Sequence, residues 1–293
     1  MGFFSIFAAI LVAINCGFGM FWNCSIFSGF LVDPGQRTSF NLICVFRAIS
    51  NIQILVTVFA IDFVTQAFLN TQIFTQIFSS CIIGMANSLH KSLQFLTFYL
   101  SFNRFIAIFA PKFYTKIYGF TLTLLVLIFV FSYRFYVIYE DLTDNIPENC
   151  TAYLDFNTLS YTKTSNCFDS KNLAATFASL FFNLLTLAKT LKFYMFYKKS
   201  DQQILRTSLL FFQVLLQNAL DFLFLFSSSS FLGDTFVGSV FCWQFCHVFD
   251  GFLMWKFGGK VRIMRRNEEI SKRRMTVDIS HIGRRSSMMP DVN

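Results

Sequence analysis

The feature that most constrains this chain is a series of seven apolar stretches, separated by short polar segments. A bilayer core of about 30 Å needs about 20 apolar residues in a helix, because each residue advances the helix by about 1.5 Å. The predicted spans lie at about residues 3–32, 40–61, 78–102, 119–139, 173–197, 206–229 and 235–257. The pattern therefore predicts an all-α membrane protein, a bundle of seven transmembrane helices.

Composition and length limit what else the chain can contain. Hydrophobic residues make up 55% and charged residues 14% of the 293 positions, whereas soluble domains carry about 25% charged residues. We expect a seven-helix transmembrane domain at residues 1–257 and a basic cytoplasmic tail at 258–293, partly disordered because it is polar and charged. The sequence carries no catalytic or metal-binding motif that we can identify. It predicts no enzyme, no cofactor and no metal site.

The basic residues predict the orientation of the bundle. Of the 24 Lys and Arg, nineteen fall at or beyond span ends that share one side, and only Lys163 and Lys171 fall on the other. Cytoplasmic segments are rich in Lys and Arg, so this asymmetry predicts an outer N-terminus and a cytoplasmic C-terminus. The net charge of +8 then indicates contact with membrane lipids, and we expect no nucleic-acid partner.

One long outer loop, between about residues 140 and 171, carries two predicted modifications. Asn149-Cys150-Thr151 matches the acceptor pattern for N-glycosylation. Cys81, Cys150 and Cys167 would all face an oxidising compartment, so a disulfide is expected. A bond from Cys81 to one of the loop cysteines is favoured because it would fasten the loop over the bundle. Cys81–Cys150, Cys81–Cys167 and Cys150–Cys167 all remain open.

Charged residues within predicted spans are expected to be functional. Arg47 and Asp250 each lie about seven residues from the cytoplasmic end of their spans, so both sit roughly 10 Å deep and can pair. The pair would be either a static clamp or a contact that breaks on activation. Asn23 in the first span is a candidate for the same polar network.

A second group of residues forms a candidate ligand cavity. His90, Lys91 and Asp221 are expected to line a polar interior, and Trp243 and His247 belong to the same candidate set. Lys91 is too deep in its span to reach water easily along the outside of the helix. The alternative is structural pairing of these side chains inside the bundle.

Local motifs resemble a known receptor family. The resemblance covers about residues 15–265 and rests on Asn103-Arg104-Phe105, Thr38-Ser39-Phe40, the Arg47–Asn51 segment, and Trp243, His247, Asp250 and Gly251. These motifs resemble the nematode chemoreceptors of serpentine receptor class X, which are G-protein-coupled receptors of the rhodopsin-like superfamily.

The resemblance implies a heterotrimeric G-protein partner, a small external ligand, and a plasma-membrane location in a sensory cilium. Asn103, Arg104 and Phe105 would then take part in G-protein coupling. Asn103 stands where related receptors have an acidic residue, so the usual acid–arginine pair cannot form there. The chain also lacks the Cys-Trp-x-Pro and Asn-Pro-x-x-Tyr motifs of the sixth and seventh helices, so the activation geometry of rhodopsin-like receptors does not transfer directly.

The basic tail carries candidate phosphorylation sites. Thr276, Ser286 and Ser287 follow paired arginines, and phosphate there would reduce the basic charge near the membrane.

A transporter or a ligand-gated channel of seven-helix type is the alternative function. Transporters often show internal repeats and broken helices, which this sequence lacks, and the charge asymmetry opposes the inner N-terminus of insect-type olfactory channels.

Overall fold

The protein is described by a computed structural model. It covers residues 3–69, 71–144, 152–155, 158–163, 170–197, 212–213, 215–220, 222–223 and 235–257. Asn149, Cys150, Cys167, Asp221, Thr276, Ser286, Ser287 and the tail 258–293 lie outside these residues.

The described residues are mostly helical, and each of the seven predicted spans overlaps a helix. The main helices are α1 (Phe3–Val32), α2 (Ser39–Leu69), α3 (Gln76–Phe109), α4 (Phe120–Asp144), α5 (Ser170–Tyr197) and α7 (Phe236–Phe257). The label α6 is used for the helical residues 212–213, 215–220 and 222–223. A 3₁₀ turn at Pro34–Gln36 joins α1 to α2, and a short linker helix, Pro111–Ile117, joins α3 to α4.

A β-hairpin between α4 and α5 gives the bundle a recognisable end. Strands β1 (Ala152–Asp155) and β2 (Ser160–Lys163) pair antiparallel, with Leu154 opposite Tyr161. We call the end of the bundle where these strands lie the hairpin end. The opposite end, where the linker helix lies, is the linker end.

Local sequence explains where the helices begin. Thr38, Thr75 and Thr235 precede α2, α3 and α7, and each hydroxyl accepts a hydrogen bond from a backbone N–H in the first turn, at 3.2–3.3 Å. These are N-caps, which satisfy donors that the helix itself cannot. Pro111 follows the end of α3 and starts the linker helix, because proline suits a first turn and has no N–H to lose.

Among the residues that the structure describes, four helices are long and apolar enough to cross a membrane by length and composition: Phe3–Val32, Ser39–Leu69, Ala174–Lys192 and Phe236–Phe257. Helix α3 is as long but more polar, and many of its polar side chains, including His90, Gln94 and Thr97, are buried inside the bundle. The weak apolar signal of the third predicted span therefore has a structural cause.

Helix α1 shows how the bundle is assembled. Its exposed face carries large side chains such as Phe7, Ile14 and Phe18, while its buried face carries the small residues Ala8, Ala9, Cys16 and Gly19. Helices in lipid gain little from burying apolar side chains against one another, so close packing through small residues is favoured. Large side chains outside and small ones inside are the arrangement expected of a lipid-facing helix.

Two glycines allow α1 to approach its neighbours closely. A Cβ atom on Gly19 would lie 2.6 Å from Leu55 Cδ1 and 2.9 Å from Val248 Cγ2. A Cβ atom on Gly251 would collide with the side-chain amide of Asn23. By contrast, a Cβ atom on Gly84 would meet no heavy atom within 4 Å.

Gly251→Ala is therefore expected to destabilise the bundle, because the new methyl group must displace Asn23 and separate α1 from α7. Overpacking of this kind costs about 1–3 kcal/mol, and we expect a lower unfolding temperature of the purified receptor in detergent. The matched control is Gly84→Ala, which should unfold within error of the wild type. Equal unfolding temperatures for the two variants would contradict the close contact.

Candidate functional site

The centre of the bundle holds a buried network of polar side chains, called here the Asp250 hub: Asn23, Arg47, Asn51, Gln217 and Asp250. The Arg47 Nη2 atom lies 2.9 Å from Asp250 Oδ1 and forms an ion pair. Asn51 donates to Asp250 Oδ2 at 2.8 Å, and Gln217 donates to Oδ1 at 2.7 Å. The Asp250 carboxylate of α7 therefore receives donors from α2 and α6, and both of its oxygens are satisfied.

Arg47 also ties α3 to the hub. Its Nη1 atom donates to the backbone oxygen of Leu93 at 3.0 Å and to the hydroxyl of Thr97. Arg47 is 3% and Asp250 4% exposed. A charge buried to this extent is stable only if it is paired and hydrogen-bonded. The pair therefore fixes the relative positions of α2, α3 and α7.

Asn23 links the hub to α1, and His247 contacts the hub from α7. Asn51 donates to Asn23 Oδ1 at 3.3 Å, and Asn23 donates in turn to the Gly19 backbone oxygen at 2.8 Å. His247 Nδ1 lies 2.9 Å from Asn51 Oδ1. Because that amide oxygen can only accept, His247 carries its proton on Nδ1. The hub thus reaches α1 through Asn23 and contacts His247 of α7 through Asn51.

A small cavity adjoins the hub. Its lining includes Arg47, His90, Gln217, His247 and Asp250, and its volume is about 10 Å³. This is room for about one water molecule, whereas ligand pockets measure about 300–1,000 Å³. The two histidine rings meet edge to face with centroids 5.4 Å apart. His90 and His247 therefore line the hub and not a ligand-sized cavity.

A second polar cluster connects α3 to α5 and α6 near the hub. The hydroxyls of Ser101 and Ser179 are 2.6 Å apart, and Asn183 donates to Ser101 Oγ at 3.0 Å. Ser179 donates to Asn218 Oδ1 at 2.9 Å. The backbone oxygen of Thr97, whose side chain contacts Arg47, accepts from Ser101 at 2.8 Å. Thr97 thus connects this cluster with the hub.

The hairpin inserts one tyrosine into the bundle. Tyr161 is 2% exposed, and its hydroxyl donates to Asp62 Oδ2 at 3.0 Å. Its backbone N–H donates to Ser239 Oγ at 3.2 Å. Burial, and next the neighbouring Asp62 carboxylate, raise the pKa of Tyr161 well above its ordinary value, so the hydroxyl keeps the proton that it donates.

Both helices that hold Tyr161 are π-helical where they contact it. The π segments are Leu55–Val64 in α2, which contains Asp62, and Phe236–Phe241 in α7, which contains Ser239. Such segments are rare and often occur at functional sites. The ring centroid of Tyr161 lies 6.3 Å from that of Trp243, and the ring centroid of Trp243 lies 6.4 Å from that of His247. A continuous series of edge-on and tilted ring contacts therefore leads from the hairpin to the hub.

At the linker end, Arg104 of α3 is buried without a hydrogen-bond partner among the described residues. Its guanidinium carbon lies 4.9 Å from the ring centroid of Phe40 at the start of α2, a cation–π contact. Asn103 accepts from the Tyr114 hydroxyl of the linker helix at 3.4 Å. In place of the acidic neighbour that position 103 does not supply, Arg104 thus contacts an aromatic ring from another helix.

The structure brings together some predicted residues and separates others. In the structure Arg47 contacts Asp250, and Asn23 joins the same network through Asn51. Trp243 lies nearer the hairpin, packed against Phe59 with ring centroids 5.3 Å apart. Lys91 is half-buried on α3 and does not line the hub cavity. Phe105 stacks on Phe109 near the linker end, with centroids 4.4 Å apart.

The favoured disulfide from Cys81 to the loop is wrong for this structure. Cys81 is a half-buried free thiol near the start of α3. Hydrogen bonds from Tyr161 to α2 and α7 hold the hairpin against the bundle instead, which is the role that the bond was expected to fill. Cys150 and Cys167 lie outside the described residues, so their pairing stays a prediction.

Sequence reasoning missed four residues that the structure places at the centre of the site: Asn51, Gln217, Asp62 and Tyr161. Asn51 lies one helical turn after Arg47 and so shares its face, which was a usable signal. Asp62 lies one residue beyond the second predicted span, which ended at residue 61, whereas α2 continues to Leu69. Gln217 and Tyr161 have no local pattern that marks them.

The residues described here offer no metal site, since they contain no group of three or more His, Cys, Asp and Glu that could hold an ion.

The bundle, the hub and the buried arginine at the linker end can be compared with known proteins. The structure is similar to a crystal structure of squid rhodopsin, with a TM-score of 0.57 over 85% of this chain and 76% of that one, at 11% sequence identity. The fold is therefore that of the rhodopsin-like seven-helix receptors. No curated protein sequence is significantly similar to this chain.

The model of the serpentine-type seven-transmembrane G-protein-coupled chemoreceptor family Srx matches residues 13–257. The chain belongs to this family. It is thus a multi-pass membrane protein of the G-protein-coupled receptor type, a class of receptors and not of enzymes.

Asp250→Ala and Arg47→Ala are each expected to lower the free energy of unfolding by about 3–5 kcal/mol, because each leaves the other charge buried without its partner. The double variant Arg47→Leu/Asp250→Leu should lose less than the sum of the two single losses, since neither charge remains. Thermal unfolding of the purified receptor and its amount at the cell surface measure both effects. Arg37→Ala, at an exposed arginine, is the control, and single variants as stable as this control would contradict the pair.

Proposed function

We propose that the protein is a chemosensory receptor that binds a small external ligand and activates a heterotrimeric G protein. The observation that carries the proposal is the continuous set of contacts from Tyr161 through Trp243 and His247 to the Asp250 hub. These contacts connect the hairpin end, where a ligand would arrive, to α3, the helix that carries Arg104. Family membership supports a receptor role, and the hub supplies a means of coupling the two ends.

The mechanism is a shift between two arrangements of the helices. Ligand at the hairpin end favours one arrangement, and the G protein at the linker end favours the same one, so that each raises the affinity of the other. Couplings of this kind amount to about 1–3 kcal/mol. The Arg47–Asp250 contact is the candidate switch, because its loss would release α2, α3 and α7 from one another.

The ligand site in this proposal lies at the hairpin end, beside Trp243, since the hub cavity is too small for an organic ligand. The aromatic residues Phe59, Phe63 and Phe236 are buried there, which suits a partly apolar ligand. His90 and His247, which were predicted to line the ligand cavity, would then act on the ligand through the hub. The participation of Lys91 and Asp221 in ligand binding stays a prediction.

The G-protein site lies at the linker end, where Asn103, Arg104 and Phe105 end α3. Arg104 has donors without a hydrogen-bond partner among the described residues, and these are suited to backbone oxygens or a carboxylate of the G protein. The Phe40 ring holds the guanidinium in the absence of that partner. The Phe40–Arg104 contact would thus restrain the resting state.

The charge asymmetry supports a cytoplasmic linker end and an outer N-terminus. Family membership supports a location in the plasma membrane of a sensory cilium. Lys189, Lys192 and the basic tail would contact anionic lipid headgroups. Phosphorylation of Thr276, Ser286 or Ser287 would weaken that contact, and a disulfide between Cys150 and Cys167 would brace the outer loop.

Arg104→Ala is expected to abolish G-protein signalling while leaving the receptor at the cell surface, because it removes the group that engages the G protein. Phe40→Ala should raise basal signalling about 2- to 30-fold, the equivalent of a cation–π contact of about 0.5–2 kcal/mol. Cyclic AMP or calcium output in cells measures both. Phe120→Ala, at an exposed ring near the same end, is the control. Ligand responses that persist in cells lacking every G protein would overturn the proposal.

Glycosylation tests the orientation. If the hairpin end lies outside, the full-length receptor from eukaryotic cells should carry a glycan on Asn149, and a glycosidase should increase its mobility on a gel. Asn149→Gln should already run at the faster position. A wild-type protein without a glycan, together with protease protection that finds both termini in one compartment, would refute the orientation.

A further inference from the structure

Asp62 is a fully buried carboxylate that has only neutral partners among the described residues. Its Oδ1 atom accepts from Ser79 Oγ at 2.9 Å and from Gln66 Nε2 at 2.8 Å, and Tyr161 donates to Oδ2. Within the described part of the chain, the one ion pair is that of Arg47 with Asp250. The two buried carboxylates thus differ, because Asp250 has a cation beside it and Asp62 has none.

This difference makes the surroundings of Asp62 attractive to a cation. A buried ionised carboxylate is stabilised by hydrogen bonds, but three neutral donors leave its charge uncompensated. An ammonium group at hydrogen-bond distance would supply both a donor and the opposite charge, and such charge-assisted hydrogen bonds are about twice as strong as neutral ones.

The three donors to Asp62 are not equivalent. Gln66 and Ser79 belong to α2 and α3, which are part of the helix bundle. Tyr161 belongs to the two-stranded hairpin, which contributes four-residue strands only. Of the three donors, the Tyr161 hydroxyl can therefore leave Asp62 with the least disruption of the bundle.

Aromatic rings surround the same position. The Tyr161 ring lies edge-on to Phe63, with centroids 6.4 Å apart, and edge-on to Trp243 at 6.3 Å. Phe63 stacks on Phe236 at 5.8 Å. Aromatic faces attract ammonium groups, and a carboxylate within aromatic walls is the combination that recognises an amine attached to an apolar body.

We propose that Tyr161 is a built-in occupant of the ligand site, and that the ligand is a small organic ammonium. Its N–H groups donate to Asp62 in place of the tyrosine hydroxyl, and its apolar part replaces the tyrosine ring between Phe63 and Trp243. The inference rests on the proposed receptor function, whose ligand class it specifies. Release of Tyr161 by the ligand would also free its contacts to both π segments.

The test uses pairs of probes that have the same shape and differ in charge, beginning with 2-phenylethylamine and 2-phenylethanol and extending to other matched amines and alcohols. The full-length receptor is purified into lipid nanodiscs without G protein, and binding is measured as ligand-dependent thermal stabilisation. We expect an amine to bind the wild type about 10- to 100-fold more tightly than its alcohol, which is the range given by a hydrogen bond to a charged group.

Two variants and a control complete the design. Asp62→Asn should remove the preference for the amine, because the charge is lost while the shape is kept. Tyr161→Phe should tighten amine binding several-fold, since the competing hydroxyl is gone, and this variant keeps the test decisive if Asp62→Asn folds poorly. Tyr133→Phe changes an exposed tyrosine of α4 and should bind both probes as the wild type does.

The proposal is overturned if no amine stabilises the wild type, if each amine and its alcohol bind equally, if Asp62→Asn keeps the preference, or if Tyr161→Phe leaves amine affinity unchanged. Failure of G-protein coupling is distinguishable from these outcomes, because the binding assay contains no G protein. Amine binding without signalling would retain this inference and reject the coupling, whereas signalling in response to neutral compounds alone would do the reverse.

Discussion

The need to compensate two charges inside the bundle determines how its helices are arranged. Arg47 and Asp250 are both nearly inaccessible to solvent, so each charge must be balanced by the other and by hydrogen bonds. Arg47 requires acceptors on α3, and Asp250 requires donors on α2 and α6. Packing between helices in lipid lacks a strong hydrophobic driving force. A polar network of this kind therefore selects one arrangement among several that apolar packing would allow.

The two ends of the bundle differ in how their buried polar groups are satisfied. At the hairpin end, Asp62 has donors but no cation among the described residues, and one donor comes from the hairpin. At the linker end, Arg104 has an aromatic ring but no acceptor among those residues. Each end thus presents a buried charge without an oppositely charged partner among the described residues, and these are the two places where we propose that the ligand and the G protein bind. In the hub between the two ends, both oxygens of Asp250 accept hydrogen bonds. This suits a cluster that connects one end of the bundle with the other.

The sequence was informative about contacts between residues whose depth within the membrane is enough to bring them to the same level. Arg47 and Asp250, which form an ion pair in the structure, were expected to meet because equal distances from one membrane face bring two residues to the same level. It was misleading where contacts depend on loops. Tyr161 and Asp62 are 99 positions apart in the chain, and no periodicity connects a loop residue to a helix. The free thiol of Cys81 shows the same limit, since three cysteines on one side of the membrane suggest a bond but do not bring sulfur atoms together.

By itself, the sequence determined the helical membrane fold, the approximate spans and the level of the buried ion pair, because the thickness of the bilayer and the cost of burying charge act on local segments. Only the tertiary structure decided which side chains complete the hub and that Phe40 faces Arg104. It also decided that the hairpin enters the bundle, and that two π-helical segments receive it. These features depend on the rotation of each helix about its axis and on loop conformation, which are set by packing between segments distant in the chain.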